Sequence, residues 1–587
     1  MSMRILIYTH RFGRHFVAGA EQHLWNLAEQ MALMGCQVDV ATTLQDDLRP
    51  FLRFGQFWRV GQAERPFEEI EVPGAGHPIR IHRFPVRNPF KPLAALLQKY
   101  LQRQWEKEEM GMEPAQPLPM RFALAHPVLL TGWHLPELSD GKLVRWTMPR
   151  TAVQLPPLRE ASLHLSAYAP RRQTLTVDHA GRRRIVFKGK GSFQVSVRLD
   201  ESSMPSIAVL ETEPVYRPLR DARTLGILVN QMSLSNRDRI ELAPMSADHR
   251  MIRAQDRRKF IETYCARAEQ RPARYSWIFD ALRGPSCRGM EKFLLKHAGE
   301  YDWVLAGILP FSVLPRLTRL RRKANFRLAA LPLLHVDDDF YYWRHYLKAL
   351  RETDVCLANS WYSFESFFPA IQVKAIMAGA GVNDTLFRGE TISGARFRKR
   401  YGIAPDEKIV LSVGRKSGTK RYRTLVEAVD NIQERMPCKL ILVGPDEDRL
   451  PIISPNCNYL GVLSQDDLLD AYDACEVFAL MSESESFGMV FVEAWMREKP
   501  VIGNGNCAPV SYLIKPEQNG LLAMDRDELE GHLLTLLSDP ERCQAYGKAG
   551  RAQVMENHTW PVIARKILDH FQKAMQPGAG SEHVARS

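Results

Sequence analysis

Cysteine is scarce and scattered in this chain. Nine occur in 587 residues (Cys36, Cys265, Cys287, Cys356, Cys438, Cys457, Cys475, Cys507 and Cys543), with no C-x-x-C pair. That spacing argues against a structural zinc site or a disulfide framework and for a reducing compartment. No apolar h-region follows Arg4, so a secretory leader is not expected. The longest apolar stretch, Trp303 to Leu317, is broken by Pro310, Pro315 and Arg316 and is too short to span a bilayer. Helix-turn-helix, RNA-binding and zinc-finger patterns are missing, which removes nucleic acid from the expected partners. There is no internal repeat, and low complexity is confined to the tail, QPGAGSEHVARS, whose residues 577–587 read as disordered.

What is present is a long, moderately basic chain with the apolar content of an ordinary globular protein. Its length allows two or three domains. The formal charge of +12 is unevenly placed: residues 381–560 hold 21 Lys+Arg against 27 Asp+Glu, leaving 58 against 40 for the rest. An anionic membrane face or acidic substrate is therefore a candidate contact for the first two thirds of the chain. The expected location is cytoplasmic, with peripheral contact at the inner face of the plasma membrane as the membrane-bound variant.

Hydrophobic periodicity divides the chain. RILIYT (4–9), a loop, a helix with Leu24, Leu27, Ala28, Met31 and Ala32 at helical spacing, and VDVATT (38–43) make a βαβ unit. The same alternation resumes at YDWVLAG (301–307), FRLAALPL (326–333) and VCLANS (355–360). From about Gly132 to Leu234 helical periodicity vanishes. Six short alternating segments follow one another, SLHLSAYA, QTLTVD, RRIVFKG, GSFQVSVRL, IAVLETE and GILVNQMSL, and predict an inserted β-sandwich. Its aromatics, Trp133, Trp146, Tyr168, Phe187 and Tyr216, read either as sandwich core or as a sugar-stacking platform. After 381 the α/β rhythm returns: IVLSVG, KLILVG, NYLG, a helix capped by Ser464, VFALM, PVIG and GLLA. These shifts give an N-terminal α/β domain in two parts (1–115 and 247–380), the insert (116–246), a C-terminal α/β domain (381–560) and a C-terminal helix (561–576) returning to the N-terminal domain.

Two loops of the later domain carry chemistry. In SESESFGMVFVEAW (482–495), Gly488 permits a tight turn and Met489 to Trp495 starts a helix, whose unpaired N–H groups suit an anion. Glu485 and Glu493 flank it, where sugar hydroxyls would give a carboxylate donors. The alternative is a solvated loop residue and a helix-face residue. In VGRKSGTK, Arg415 and Lys420 follow a strand and suit a diphosphate, Arg by a forked contact and Lys as a point charge; a solvated basic loop is the other reading. Both loops lie at strand carboxyl ends of one parallel sheet, where ligands bind in such sheets.

Taken in order, VGR-x4-K, LILVGPD, YLGVLSQDDLLDAYDACEVFAL, ESFGMVFVE, PVIG and NGLL resemble glycosyltransferase family 4 over nearly all of residues 400–560. The N-terminal half is similar more loosely, through VAGAE (17–21) and PLLHVDD (332–338). The insert resembles β-sandwich modules within some bacterial polysaccharide-assembly transferases. The resemblance implies a GT-B fold: two Rossmann-like domains facing a cleft, with the all-β insert in the first. It implies a retaining transferase with an E-x7-E pair, moving a hexose from a nucleotide diphosphate sugar to a lipid-linked or polymeric glycan acceptor in cell-surface polysaccharide biosynthesis. A soluble sugar-joining synthase and a non-catalytic glycan-binding protein are the alternatives.

Residue by residue, the resemblance makes Arg415, Lys420, Glu485 and His335 the catalytic set. Gly19, Gly414, Ser486, Phe487, Gly488, Met489, Val490 and Glu493 join Arg415 and Lys420 around the donor. Glu485 would hold donor-sugar hydroxyls and Glu493 the ribose diol. Two departures stand out. Ala18 replaces the first glycine of the family's Gly-Gly-Ala-Glu loop, leaving Gly19 the close backbone approach. His335 falls where Pro332-Leu333-Leu334-His335 replaces the family's P-H-x-H, as active-site residue or as satisfied loop histidine. Asp337-x-Asp339 lacks a third ligand and reads as an acidic turn. No metal or other cofactor is expected beyond the nucleotide sugar as co-substrate.

Overall fold

The structure, a computed structural model, describes residues 2–14, 19–50, 56–60, 65–86, 91–110, 128–129, 133–134, 137–139, 142–203, 206–216, 224–236, 239–242, 257–387, 389, 391–447 and 451–576. Ala18 and the 577–587 tail lie outside the described residues.

Two α/β units are built on nearly the same plan. In the C-terminal unit the strands Lys408–Val413, Cys438–Val443, Cys457–Tyr459, Val477–Leu480, Val501–Asn504 and Gly520–Ala523 form a parallel sheet. Their spatial order is third, second, first, fourth, fifth, sixth. The order reverses between the first and fourth strands. Helices leaving those two strands cover opposite faces, and a crevice opens at their carboxyl ends. The first strand buries the apolar run Ile409, Val410 and Leu411, as a strand covered on both faces does, with Ser412 the buried polar residue near its carboxyl end.

The N-terminal sheet has the same reversal. Its described strands run, in space, Ala375–Met377, Val355–Ala358, Leu328–Leu331, Trp303–Gly307, Arg4–Tyr8, Gln37–Thr43, Ile79–Phe84 and Phe67–Ile70. All pair in parallel except Phe67–Ile70, which runs antiparallel to Ile79–Phe84. Its switch point lies between Arg4–Tyr8 and Trp303–Gly307. The helix Gly19–Leu33 buries Leu24, Leu27, Ala28, Met31 and Ala32, the set its spacing predicts. From the far end of the chain, the helix Trp560–Met575 places Ile563, Ile567 and Phe571 in this core, with Phe571 stacked on Trp303 at 4.2 Å.

Outgoing and returning segments between the units run side by side. The Val382 N–H donates to His558 O at 2.8 Å. A Cβ on Gly381 would stand 2.7 Å from the Trp560 ring, so only glycine lets the strands cross this closely.

The β-rich region differs from its expectation. SLHLSAYA and QTLTVD are one strand, Ala161–His179, and RRIVFKG and GSFQVSVRL are one strand, Arg182–Arg198. Hydrogen bonds then connect its described strands into a single antiparallel sheet in place of two separate ones. Pro170-Arg171-Arg172 looks like a strand break, but the irregularity opposite it is absorbed as a bulge, with Gly191 at φ +97°. The bulge keeps register, so Leu163, Leu165, Leu175 and Val177 all face one core with Leu210 and Met232. One edge of Ala161–His179 pairs with Ser206–Glu213 near its end and with Leu228–Asn236 near its start. Trp133 is core, its indole N–H donating to Ala152 O at 3.1 Å; Phe187 stacks on Phe193 at 3.7 Å against that core. Tyr168 is exposed.

Gly444 fixes how closely the loops after the first two C-terminal strands approach. Its φ is +138°, and a Cβ there would lie 1.9 Å from Gly414 O, a backbone atom. Gly444→Ala is expected to cost about 2 kcal/mol, read as a thermal midpoint lower by roughly 4–8 °C. An unchanged midpoint would mean that these loops are not locked together.

Candidate active site at the interdomain cleft

The first and fourth C-terminal strands deliver the two chemical loops to one crevice. Strand Lys408–Val413 ends at Gly414 and Arg415, and a short turn brings Lys420 back beneath Gly414, its Cδ 3.8 Å from where a Gly414 Cβ would be. Strand Val477–Leu480 ends in the loop carrying Glu483, Ser484 and Glu485. Three contacts lace the loops. The Glu483 N–H donates to Thr419 O at 2.8 Å, Arg421 lies 3.5 Å from Glu483, and Lys420 Nζ donates to Glu485 Oε1 at 2.5 Å.

The Lys420 and Glu485 side chains retain only 16% and 14% exposure. Burial alone would raise the Glu485 pKa. The Lys420 charge and hydrogen bond outweigh it and hold the carboxyl below its usual value. Glu485 is thus a carboxylate at neutral pH, with Lys420 as its counter-ion. Arg415 is mostly exposed, and its Nη1 donates to both Glu447 carboxylate oxygens, at 2.9 and 3.0 Å. An exposed pair of this kind is weak, so the guanidinium can exchange partners cheaply.

Gly488, at φ +104°, turns the chain into helix Met489–Met496, and a Cβ there would meet Phe491 at 2.9 Å. Met489 and Val490 open that helix and Phe487 is buried behind it, 5.2 Å from the His558 ring of the crossing segment. Glu493, one turn further in, accepts from the Tyr472 hydroxyl at 2.7 Å. Burial raises its pKa, and the Tyr472 bond opposes that rise. The two glutamates of the sequence motif are therefore shifted in opposite directions, Glu485 down by its pairing with Lys420 and Glu493 up by burial.

The N-terminal unit contributes the facing wall. His335 Nδ1 lies 2.6 Å from Ser484 Oγ, and Asn359 Nδ2 donates to Ser486 O at 3.1 Å. Burial lowers the His335 pKa to about 4, with Glu485 opposing and Lys420 and Arg415 reinforcing, so the imidazole is neutral at pH 7. Further along, Arg257 Nη2 donates to Asn506 O at 3.1 Å and its guanidinium lies over the Tyr362 ring. Asp337 accepts from Tyr362 at 2.5 Å, and burial raises its pKa to about 6. Among the described residues no three His, Cys, Asp or Glu side chains converge as a metal site. Gly19 begins its helix with open space on its Cβ side.

His335 thus sits beside the Arg415, Lys420 and Glu485 loops, while Glu493 lies deeper, one helical turn behind Gly488. Sequence reasoning missed Asn359, Ser484, Tyr472 and Glu447. Asn359 was visible as the polar end of VCLANS. Tyr472 carried no signal, because its partner is set by packing between two helices.

Residues 394–553 match the family model described as Glycosyl transferases group 1. The chain therefore carries a glycosyltransferase domain. It is 28% identical over 191 residues to an uncharacterized glycosyltransferase of Methanocaldococcus jannaschii, covering 31% of this chain and 48% of that one. It is 29% identical over 241 residues to the GDP-mannose-dependent alpha-(1-6)-phosphatidylinositol monomannoside mannosyltransferase of Mycobacterium tuberculosis, covering 38% and 62%. The chain thus spans about half to three fifths of the length of these curated relatives. Among solved structures, sucrose-phosphate synthase of Thermosynechococcus elongatus superposes with a TM-score of 0.50 at 15% identity, over 97% of this chain and 99% of that one. The fold is GT-B-like: two α/β units, each with a switch-point crevice, joined by a double crossing. No helix of the described residues is long and apolar enough to cross a membrane.

The Lys420–Glu485 pair has a pH signature. Glu485 has a lowered pKa in the folded state, so its stabilisation is present above its unfolded value of about 4.5 and is lost as pH falls through the folded value. Lys420→Met is expected to destabilise by about 2–4 kcal/mol at pH 7. The difference from wild type should shrink as pH drops below 4.5. A pH-independent difference in thermal midpoint would show that the carboxylate is not the partner.

Proposed function

We propose that the chain is a retaining glycosyltransferase that moves a hexose from a nucleotide diphosphate sugar to a lipid-linked or polymeric glycan acceptor. The observation that carries this reading is the convergence of Lys420, Arg415 and the start of helix Met489–Met496 at one switch point, opposite His335. Two cations and a helix N-terminus form a receptacle for a diphosphate and stabilise charge developing on it as leaving group. Glu485, Ser484 and neutral His335 offer acceptors and a donor to sugar hydroxyls at the cleft. Relatives named for GDP-mannose and for phosphatidylinositol-type acceptors support a nucleotide-sugar donor and a lipid-borne acceptor.

In this mechanism the donor diphosphate displaces Glu447 from Arg415 and shares Lys420 with Glu485. The sugar–phosphate bond then breaks with retention, the acceptor hydroxyl arriving on the face the phosphate leaves and giving its proton to a phosphate oxygen. Arg415, Lys420 and the helix N–H groups carry the charge, so the reaction proceeds without a metal. The basic excess outside 381–560 fits an acceptor held at an anionic surface.

Thermal shift with UDP-, GDP- and dTDP-sugars identifies the donor, because a ligand bound only by the native state raises the midpoint by mass action. With that donor, Lys420→Ala and Arg415→Ala should each lower turnover by about a hundredfold or more. Near-normal turnover of either variant at saturating donor would remove that residue from the site. Activity should persist in EDTA; its loss, restored by Mn²⁺, would overturn the metal-free reading.

A further inference from the structure

The N-terminal sheet has a switch point of its own, flanked by the loops after Arg4–Tyr8 and Trp303–Gly307. Open α/β sheets bind ligands at such points. Of the cations nearby, Arg11 is neutralised by Glu21, which also lies 3.5 Å from His10 Nε2. Arg283 is different. It ends the helix Ala273–Arg283, and its guanidinium carbon lies 5.1 Å from the centre of the Phe311 ring and 5.2 Å from that of Phe340. Its Nε donates to Pro310 O at 3.2 Å. Neither Nη group has a protein acceptor, and no carboxylate pairs with Arg283, among the described residues. Asp280, one turn back on the same helix, pairs instead with Arg319 at 3.3 Å.

Two rings and a backbone bond hold this cation in place, and among the described residues no carboxylate neutralises it. Burial pulls the Arg283 pKa down, yet the residue stays partly exposed and its Nη groups remain accessible to a ligand. The surroundings add donors. The Tyr346 hydroxyl is fully buried with no hydrogen-bond partner, and the Tyr341 hydroxyl likewise has none among the described residues. Both phenols lie near Arg283, and burial raises both of their pKa values, so each keeps its proton. Tyr341 also stacks against His335, ring centres 5.9 Å apart, so this cluster borders the proposed reacting centre. His10 is stacked on Phe311 at 3.8 Å, and burial lowers its pKa, which disfavours a second positive charge beside Arg283.

We propose that Arg283, framed by Phe311 and Phe340 at the N-terminal switch point, is the binding site for an oxyanion, a phosphate or carboxylate carried by the acceptor. The acceptor role rests on the transferase reading above; the oxyanion site does not. The planar fork of arginine, fixed by its ring neighbours, presents both Nη groups to such an anion.

The test is calorimetric titration of the full-length protein with inorganic phosphate and, separately, with glucuronate, each with and without saturating UDP or GDP. Nucleotide occupies the Lys420 crevice and leaves Arg283 open. Saturable binding of either anion should persist with nucleotide present and weaken at least about tenfold in Arg283→Gln, with nucleotide affinity unchanged. Arg283→Lys should fall between, keeping the charge but losing the fork. The anion that binds distinguishes a phosphate-bearing from a carboxylate-bearing acceptor. Failure of both anions to bind the wild-type protein saturably, or equal binding by wild type and both variants, would overturn the site. A wild-type protein that binds no nucleotide but shows Arg283-dependent anion binding would keep this site and sink the donor reading.

Discussion

Everything at the candidate site depends on the adjacency of two strands, Lys408–Val413 and Val477–Leu480, in the C-terminal sheet. They are first and fourth in sequence among that sheet's strands, so their following loops diverge over opposite faces and leave a crevice between. Into it go a lysine from one loop and a glutamate from the other. Because Lys420 and Glu485 meet where water is largely excluded, the ammonium holds the Glu485 carboxyl below its usual pKa and the contact fixes both side chains in place. The flanking link from Glu483 to Thr419 makes the two loops one unit.

A preorganised half-site needs a wall. The N-terminal unit supplies it through His335, Asn359 and Arg257, each reaching a loop of the C-terminal unit. These contacts are few and polar, in contrast to the dense apolar cores on either side. The chain crossing at Val382 and His558, with the final helix packed into the N-terminal core, ties the units together. That division suits a cleft that must admit and release charged ligands.

The β-rich region solves a different problem. Its two long strands carry one apolar face through a bulge, so one core serves both ends of the hairpin. Its outer strand, Arg182–Arg198, is rich in Arg and Lys along an exposed edge, as edge strands that resist pairing with other chains commonly are.

Much of the architecture was legible in the sequence because burial on both faces of a parallel sheet demands continuous apolar runs. ILIY, VLAG, LAAL, KLILV and VFAL announce themselves wherever they are placed. The motif residues Arg415, Lys420, Glu485 and Gly488 were legible too, since strand ends and a glycine turn are local features. Strand continuity across Pro170 was not, because only the partner strand decides whether a proline ends a ladder or sits in a bulge. Nor could the sequence state that Glu485 is charge-paired while the Glu493 pKa is raised. Those shifts follow from tertiary surroundings, the Lys420 charge in one case and, in the other, burial that the Tyr472 bond opposes. Residues 65 and 21 positions away became neighbours only when the sheet closed. Composition and spacing thus determined the layers and the loops that bear the chemistry. Tertiary packing alone decided which side chains meet, which charges are compensated, and that Arg283 is left without a carboxylate partner among the described residues.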